Sequence, residues 1–299
     1  MKKLTSAAGI ALALVAGSAI AADLPSRKAP PVYVAPAPVL TWTGIYGGIN
    51  IGYGFGNNSN ENGGLAYLSG FAPVSTTLPL ASAWTLPQNL NGVLGGGQVG
   101  YNYQFNPWLV VGLEADWQAS DVHSTVQGWN GVAEPAPWFG HLQTAYSTKS
   151  VDWFGTVRGR IGVTLPSIPQ LLVFGTGGVA YGGVVHNASF ADTFTAPTTA
   201  AFGFGTVAKG NYDDTRIGWA AGGGIEYLLN GWHPLLTNFS VKIEYLYTDL
   251  GSTRTSARPL TGGPILVGVQ ESPTRFHTVR AGVNWHFNPF AAAPVLAKY

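Results

Sequence analysis

The sequence predicts an all-β chain: one eight-stranded antiparallel transmembrane β-barrel, an up-and-down meander with long extracellular loops and short periplasmic turns. Three observations lead there. Charged residues are only 10% of the chain, while Gly reaches 41 residues and Trp, Tyr and Phe number 10, 13 and 14. Mean hydropathy is just +0.15, far below that of a bundle of apolar membrane helices, so the apolar residues must alternate with polar ones. The third is the spacing of the connections, which alternate long and short along the chain, as an outer-membrane barrel requires.

The first element is a secretory signal over residues 1–21. Lys2 and Lys3 open it, an apolar run follows from Ala7 to Val15, and Ala19-Ile20-Ala21 forms an A-x-A cleavage site that leaves Ala22 as the first mature residue. The apolar run is too short to span a bilayer as a helix. Export through the Sec pathway follows. Residues 22–40 form a proline-rich periplasmic tether, extended and unable to pack a core. The barrel occupies 41–288, and 289–299 is a C-terminal extension.

Eight segments carry the period-two pattern that sends alternate side chains to opposite faces: 42–54, 92–105, 108–118, 151–163, 170–185, 215–227, 237–249 and 275–287. In 151–163, Val151, Trp153, Val157, Ile161 and Val163 share one face, and Asp152, Thr156, Arg158 and Arg160 share the other. Each segment meets the roughly 9–11 residues of a tilted membrane strand. Long loops are expected at 55–91, 121–148, 186–213 and 251–273. Short turns are expected at Asn106-Pro107 and Pro166 to Pro169, and a medium turn at 229–236. Pro166, Pro169 and the glycines after Gly175 argue against a helix in the uncharged stretch 161–185.

Aromatic residues near the strand ends form an expected interfacial girdle: Trp42, Tyr53, Tyr103, Phe105, Trp108, Trp117, Trp153, Tyr227, Tyr245, Tyr247, Trp285 and Phe287. On the opposite face, the alternation places Glu114, Asp116, Asp152, Glu226 and Glu244 in the lumen with Arg158, Arg160, Arg216, Lys242 and Arg280. Acids and bases balance. An eight-stranded barrel has an interior just wide enough for side chains, so these groups are expected to pair into a plug, with a narrow gated ion path as the functional alternative.

Chemistry beyond this is sparse. The chain lacks cysteine, which excludes disulfides. A net charge of +1 gives no field for nucleic acid. His123, His141 and His186 fall in expected loops, His233 in a turn, and His277 and His286 on the last strand, without metal-site spacing. The Gly-rich runs lack the sequence of a phosphate loop. His186 to Ser189 and His123-Ser124 have no recognisable catalytic partner. No metal, cofactor or enzymatic activity is expected.

Several stretches taken together carry a resemblance. They are A-D-L-P (22–25), the proline-rich tether, W-T-G-I-Y-G-G-I-N-I-G-Y-G (42–54), G-T-V-R-G-R-I-G (155–162), V-F-G-T-G-G-V-A-Y-G (173–182), I-G-W-A-A-G-G-G-I-E-Y (217–227), V-K-I-E-Y-L-Y-T-D-L-G (241–251) and H-T-V-R-A-G-V-N-W-H-F (277–287). On these the chain resembles the small porin-like outer-membrane proteins of alphaproteobacteria, which include the outer-membrane immunogenic proteins and share the barrel type of the OmpA transmembrane domain. The resemblance implies a place in the outer membrane, among lipid and lipopolysaccharide, reached with the help of periplasmic chaperones and the barrel-assembly machinery. Family members end at the aromatic residue closing the last strand, here Phe287, whereas this chain runs on to Tyr299. The resemblance also implies that an Ala22-Asp23 start can be joined to peptidoglycan. It leaves three roles open: a structural and surface barrel, a small porin or narrow channel, and a haem or other ligand receptor using His123, His141 and His186.

Overall fold

The computed structural model describes residues 42–56, 59–68, 81–132, 141–194, 206–230, 232–260 and 265–287. The expected signal, the tether to residue 40 and the extension from 289 lie outside them. Ten strands make up nearly all of the rest: β1 (Gly44–Gly56), β2 (Ser59–Leu68), β3 (Ala81–Gln88), β4 (Gly92–Asn106), β5 (Leu109–Val132), β6 (His141–Leu165), β7 (Ile168–Phe194), β8 (Thr206–Leu228), β9 (Phe239–Pro259) and β10 (Ile265–Phe287). All neighbours are antiparallel. β1, β4, β5, β6, β7, β8, β9 and β10 follow one another, and β1 pairs with β10 from Ile45↔Phe287 to Gly56↔Phe276 to close a ring of eight. Closure removes the unpaired edges that lipid cannot satisfy.

The remaining two strands are continuations. β2 pairs with the upper part of β10, Leu68↔Ile265 to Asn62↔Glu271, directly above the stretch held by β1. β3 pairs with β2, as β4 pairs with β1. The hairpin β2–β3 therefore extends the wall upward, and the expected 55–91 loop is partly sheet. The other expected loops change in the same way. β5, β6 and β7 run 24, 25 and 27 residues, about 80–90 Å at ~3.3 Å per residue, well beyond what a bilayer needs. Alternation continues above the membrane with different chemistry. In upper β5, Val122 and Ser124 are buried while Asp121, His123 and Thr125 are exposed.

The short turns sit at the opposite end. At 106–109 the Asn106 side chain accepts the N–H groups of Trp108 (3.0 Å) and Leu109 (2.8 Å), an Asx turn that reverses the chain. A 3-10 turn at Pro234–Leu236 joins β8 to β9.

Two aromatic belts mark the bilayer. Near the short turns Tyr103, Phe105, Trp108, Trp285 and Phe287 are exposed. Further up, Tyr53, Trp117, Trp219 and Tyr245 are exposed, with Trp153 packed edge-on against Tyr181 and Trp219 tilted against Tyr247. Trp108 and Trp117 are nine residues apart on one wall, about 23 Å along the membrane normal at ~3.3 Å per residue and ~40° tilt, close to the roughly 25 Å apolar band of such barrels. Ile49, Ile51, Leu113, Val157, Ile161, Val179, Ile225 and Ile243 fill the band between them.

Trp42 departs from the expected girdle. It is 2% exposed, donates Nε1 to the carbonyl of Pro169 at 3.1 Å and packs edge-on against His286. It precedes the first strand, where no alternation holds its side chain outward, and it closes the lower mouth from inside.

The interior is layered. Trp42, Val110, Leu172, Phe174 and Leu228 form an apolar floor. A charged layer follows. Leu90, Leu94, Val122, Val151, Phe154, Ala180, Val184, Ala220, Leu250 and Phe276 form a middle apolar layer. Above it lie Lys149, Ser147, His186 and Glu61, all buried. Leu65, Leu86, Ala145, Ala188, Phe190, Ala208 and Ala257 form the upper apolar layer. The buried face of β6 passes through the sequence in order: Arg160, Arg158 and Thr156, then Phe154 and Val151, then Lys149 and Ser147, then Ala145.

Candidate functional site

The charged layer is built by the same-face spacing of five strands. β5 supplies Glu114 and Asp116, β6 Arg158 and Arg160, β8 Glu226, β9 Lys242 and Glu244, and β10 Arg280; each is at most 4% exposed. Adjacent strands present opposite charges in register: Glu114↔Arg158, Glu226↔Lys242 and Arg280↔Glu244. Cross-strand neighbours of opposite sign attract.

Arg158 is the hub. It reaches Glu114 Oε1 at 2.6 Å, Asp116 Oδ2 at 2.8 Å and Glu244 Oε1 at 2.6 Å. Arg280 bridges Asp116 (3.1 Å) and Glu244. Lys242 donates to both oxygens of Glu114 at 2.9 and 2.8 Å. Arg160 pairs with Glu226 at 2.7 Å and lies 4.0 Å over the Phe174 ring. Tyr46 from β1 accepts from Arg160 (2.8 Å) and donates to Glu114 (2.7 Å), so it joins the two halves. Glu226 also accepts from Ser240 (2.6 Å) and Asn284 (2.7 Å). Four carboxylates face four cations in one connected network, which is how buried charges persist. Space for it comes partly from Gly222 and Gly224 of β8, where a Cβ would strike the carbonyl oxygens of Tyr245 and Ile243 on β9.

Two expected members are elsewhere. Asp152 is exposed, accepting from Ser150 Oγ at 2.7 Å. A bulge between Val151 and Trp153 shifts the β6–β7 register, so Val151 and Phe154 both point inward and strict alternation fails between them. Arg216 is half-buried and donates to the carbonyls of Ser252 (2.8 Å) and Leu250 (3.5 Å). It sits where the β8–β9 ladder is interrupted between Lys209 and Trp219.

The upper polar layer was missed by the sequence reasoning, because it lies in segments taken as loops. His186 is fully buried, with Ser147 Oγ at 2.9 Å and Glu61 Oε1 at 3.1 Å from Nε2, and Thr255 Oγ1 at 2.9 Å from Nδ1. Lys149 donates to Ser272 O and Oγ, both at 2.9 Å, and to Pro273 O at 3.0 Å. The signal was present: Ser147, Lys149 and Val151 keep the inward phase of β6 beyond the membrane band. Of the three loop histidines, His186 points into the lumen and His123 is exposed on the outer face; His141 opens β6. A common iron site for the first two is therefore not formed. Among the described residues no group of three or more His, Asp or Glu side chains is arranged for a metal ion.

Residues 10–287 match the family model of the outer membrane protein beta-barrel domain. The chain belongs to that family. It is 34% identical over 283 residues to the 31 kDa outer-membrane immunogenic proteins of Brucella melitensis biotype 1 and Brucella suis biovar 1, covering 92% of this chain and 96% of each relative. It is thus an outer-membrane β-barrel protein. Solved structures share less with it. OprG of Pseudomonas aeruginosa is 11% identical with a TM-score of 0.37, over 82% of this chain and 97% of that one. Ail, the attachment invasion locus protein of Yersinia pestis, is 14% identical with a TM-score of 0.25, over 80% and 99%.

Proposed function

We propose that this protein is a sealed structural barrel that stabilises the outer membrane and holds a tall sheet wall outside it, without enzymatic activity. The observation that carries this is the filled lumen: two hydrogen-bonded polar layers alternate with three apolar layers. A hydrated ion would have to break buried ion pairs and cross apolar side chains, which is costly in both steps. Purified barrel in planar bilayers is expected to give no steady conductance, and liposomes bearing it should not swell in small sugars. Stable, reproducible unitary currents would overturn the proposal.

The N-terminal tether completes this reading. β1 starts at the end of the barrel that carries the short turns, the periplasmic end of an outer-membrane barrel, where the cell wall lies. If the 16 residues from Leu24 to Val39 took an extended polyproline-type form, they would reach about 50 Å at ~3.1 Å per residue. Attachment of the Ala22 amine to peptidoglycan, with Asp23 in the recognised start, would fix the membrane to the wall. Mass spectrometry of muramidase-treated envelopes tests it. A muropeptide on Ala22 is expected, and a wholly unmodified amine refutes it.

A further inference from the structure

The outward face of the wall changes chemistry above the membrane. In the apolar band β5, β6 and β7 present Leu113, Val157 and Val179 to lipid. Higher on the same strands the outward residues are amides, hydroxyls and two aromatic rings. Gln127 of β5 pairs with Tyr146 of β6. One row lower Thr125 stands opposite Thr148, Thr148 opposite Asn187 of β7, and Asn187 opposite Asn211 of β8. Trp129 is one row higher and diagonal to Tyr146, an arrangement that puts neighbours about 7–8 Å apart.

This face is open. Trp129 is 77% exposed and Tyr146 46%, and Thr125, Gln127, Asn187 and Asn211 are exposed with them. Trp129 lies twelve residues beyond Trp117 of the upper belt, about 30 Å further from the membrane at ~3.3 Å per residue and ~40° tilt. The two rings therefore meet water and not acyl chains, and large apolar side chains grouped in water mark a recognition surface. The plate that carries them is backed from inside. Ala145 and Ala188 are buried behind it, and Leu86 of β3 occupies the space where a Cβ on Gly128 would stand. Asn211 donates its amide to Asn187 Oδ1 at 2.6 Å, which fixes that pair and leaves the Asn187 amino group and the Asn211 carbonyl for a ligand.

Charge and position decide the occupant. Ionisable side chains stand at the margins: Lys209 on the β8 side, opposite Ser189, and His123 and Asp213 one row below the threonines. An acidic chain would find no row of cations here. An uncharged sugar chain fits both parts of the face. The C–H side of a sugar ring is apolar and slightly positive, which suits the negative face of an aromatic ring. Its hydroxyls both donate and accept, as do the amide and hydroxyl side chains around the rings. Because the apolar band lies directly below on the same strands, a lipid anchored beside them extends its headgroup up this wall. We propose that the outer face of upper β5–β8, centred on Trp129, Tyr146 and Gln127, binds the uncharged sugar chain of lipopolysaccharide anchored beside the barrel. The site is independent of the sealed lumen, so conductance and sugar binding fail separately.

The test uses the folded barrel in phospholipid nanodiscs free of lipopolysaccharide. The probes are uncharged O-polysaccharide freed of lipid A by mild acid, and polygalacturonate as an acidic chain, with binding read by biolayer interferometry at low and high salt. The O-polysaccharide should bind, with no loss at high salt. Trp129→Ala and Tyr146→Ala should each weaken it about fivefold or more, and Trp129→Phe should keep most of the affinity. Trp232→Ala, at an exposed position of the opposite end, should change nothing. Absence of binding, an unchanged Trp129→Ala, or equally tight binding of polygalacturonate overturns the proposal. A dimer in sedimentation that Trp129→Ala abolishes would give the face to a second copy and overturn it as well. If Trp129→Ala does not show the gel shift of a folded barrel, Gln127→Ala decides: weaker binding supports the site, and unchanged binding overturns it.

Discussion

Replacing Arg158 with Met tests whether the charged layer is a single dry network. Its side chain is fully buried and contacts Glu114, Asp116 and Glu244. The loss is not three independent ion pairs. Glu114 keeps Lys242 at 2.8 Å, Asp116 keeps Arg280 at 3.1 Å, and Glu244 keeps Arg280. What changes is the balance: four carboxylates would face three cations, leaving one buried negative charge in excess. Breaking a buried pair in this way costs about 3–5 kcal/mol, so Arg158→Met should destabilise by that amount and not by three times it. Adding Glu114→Gln restores neutrality and should recover more than half, a coupling only contacting residues show. The assay is reversible urea unfolding of the barrel in phospholipid vesicles, followed by tryptophan fluorescence and the mobility of unboiled samples. A cost below about 1 kcal/mol, as for exposed pairs, would refute the dry network. An additive double variant would refute the coupling.

Burial draws the Lys149 ammonium down from 10.5 to about 7, with Glu61 pulling it up and Arg216 pushing it further down. Between those values the unfolded chain holds a proton that the folded one lacks, so stability should rise with pH across that window and be lost as pH falls through about 7. The span corresponds to at most about 5 kcal/mol at ~1.4 kcal/mol per pH unit; Lys149→Met should remove this rise, and unfolding titrations of the two proteins that stay parallel would refute it. Trp42→Ala should cost about 3–5 kcal/mol as a buried aromatic truncation, against less than half of that for lipid-facing Trp108→Ala. The reverse order in urea midpoints would return Trp42 to the interface. Gly222→Val should prevent formation of the heat-modifiable barrel, whereas outward Gly159→Val should not, since a Cβ there meets only ordinary contacts at 3.9 Å; equal yields of the two would count against tight coiling as the reason for the glycine run.

The sequence by itself determined the ring and most of the charged layer. Where a strand separates lipid from a packed lumen, the two faces demand opposite chemistry, and period two writes that demand into adjacent residues. Glu114, Asp116, Arg158, Arg160, Glu226, Lys242, Glu244 and Arg280 were legible for that reason. Above the lipid the outer face meets water, so the contrast that marks a strand disappears. The upper halves of β5, β6 and β7, and with them Lys149 and His186, looked like loop. Asp152 was misplaced because one extra residue in a bulge reverses every later side chain, a shift no local pattern records. Trp42 was misplaced because an aromatic ring suits both a membrane interface and a buried floor. Which partner each buried charge takes, and that Arg216 stands apart in a break between β8 and β9, depends on how eight strands coil around one axis, and only the tertiary structure decided it.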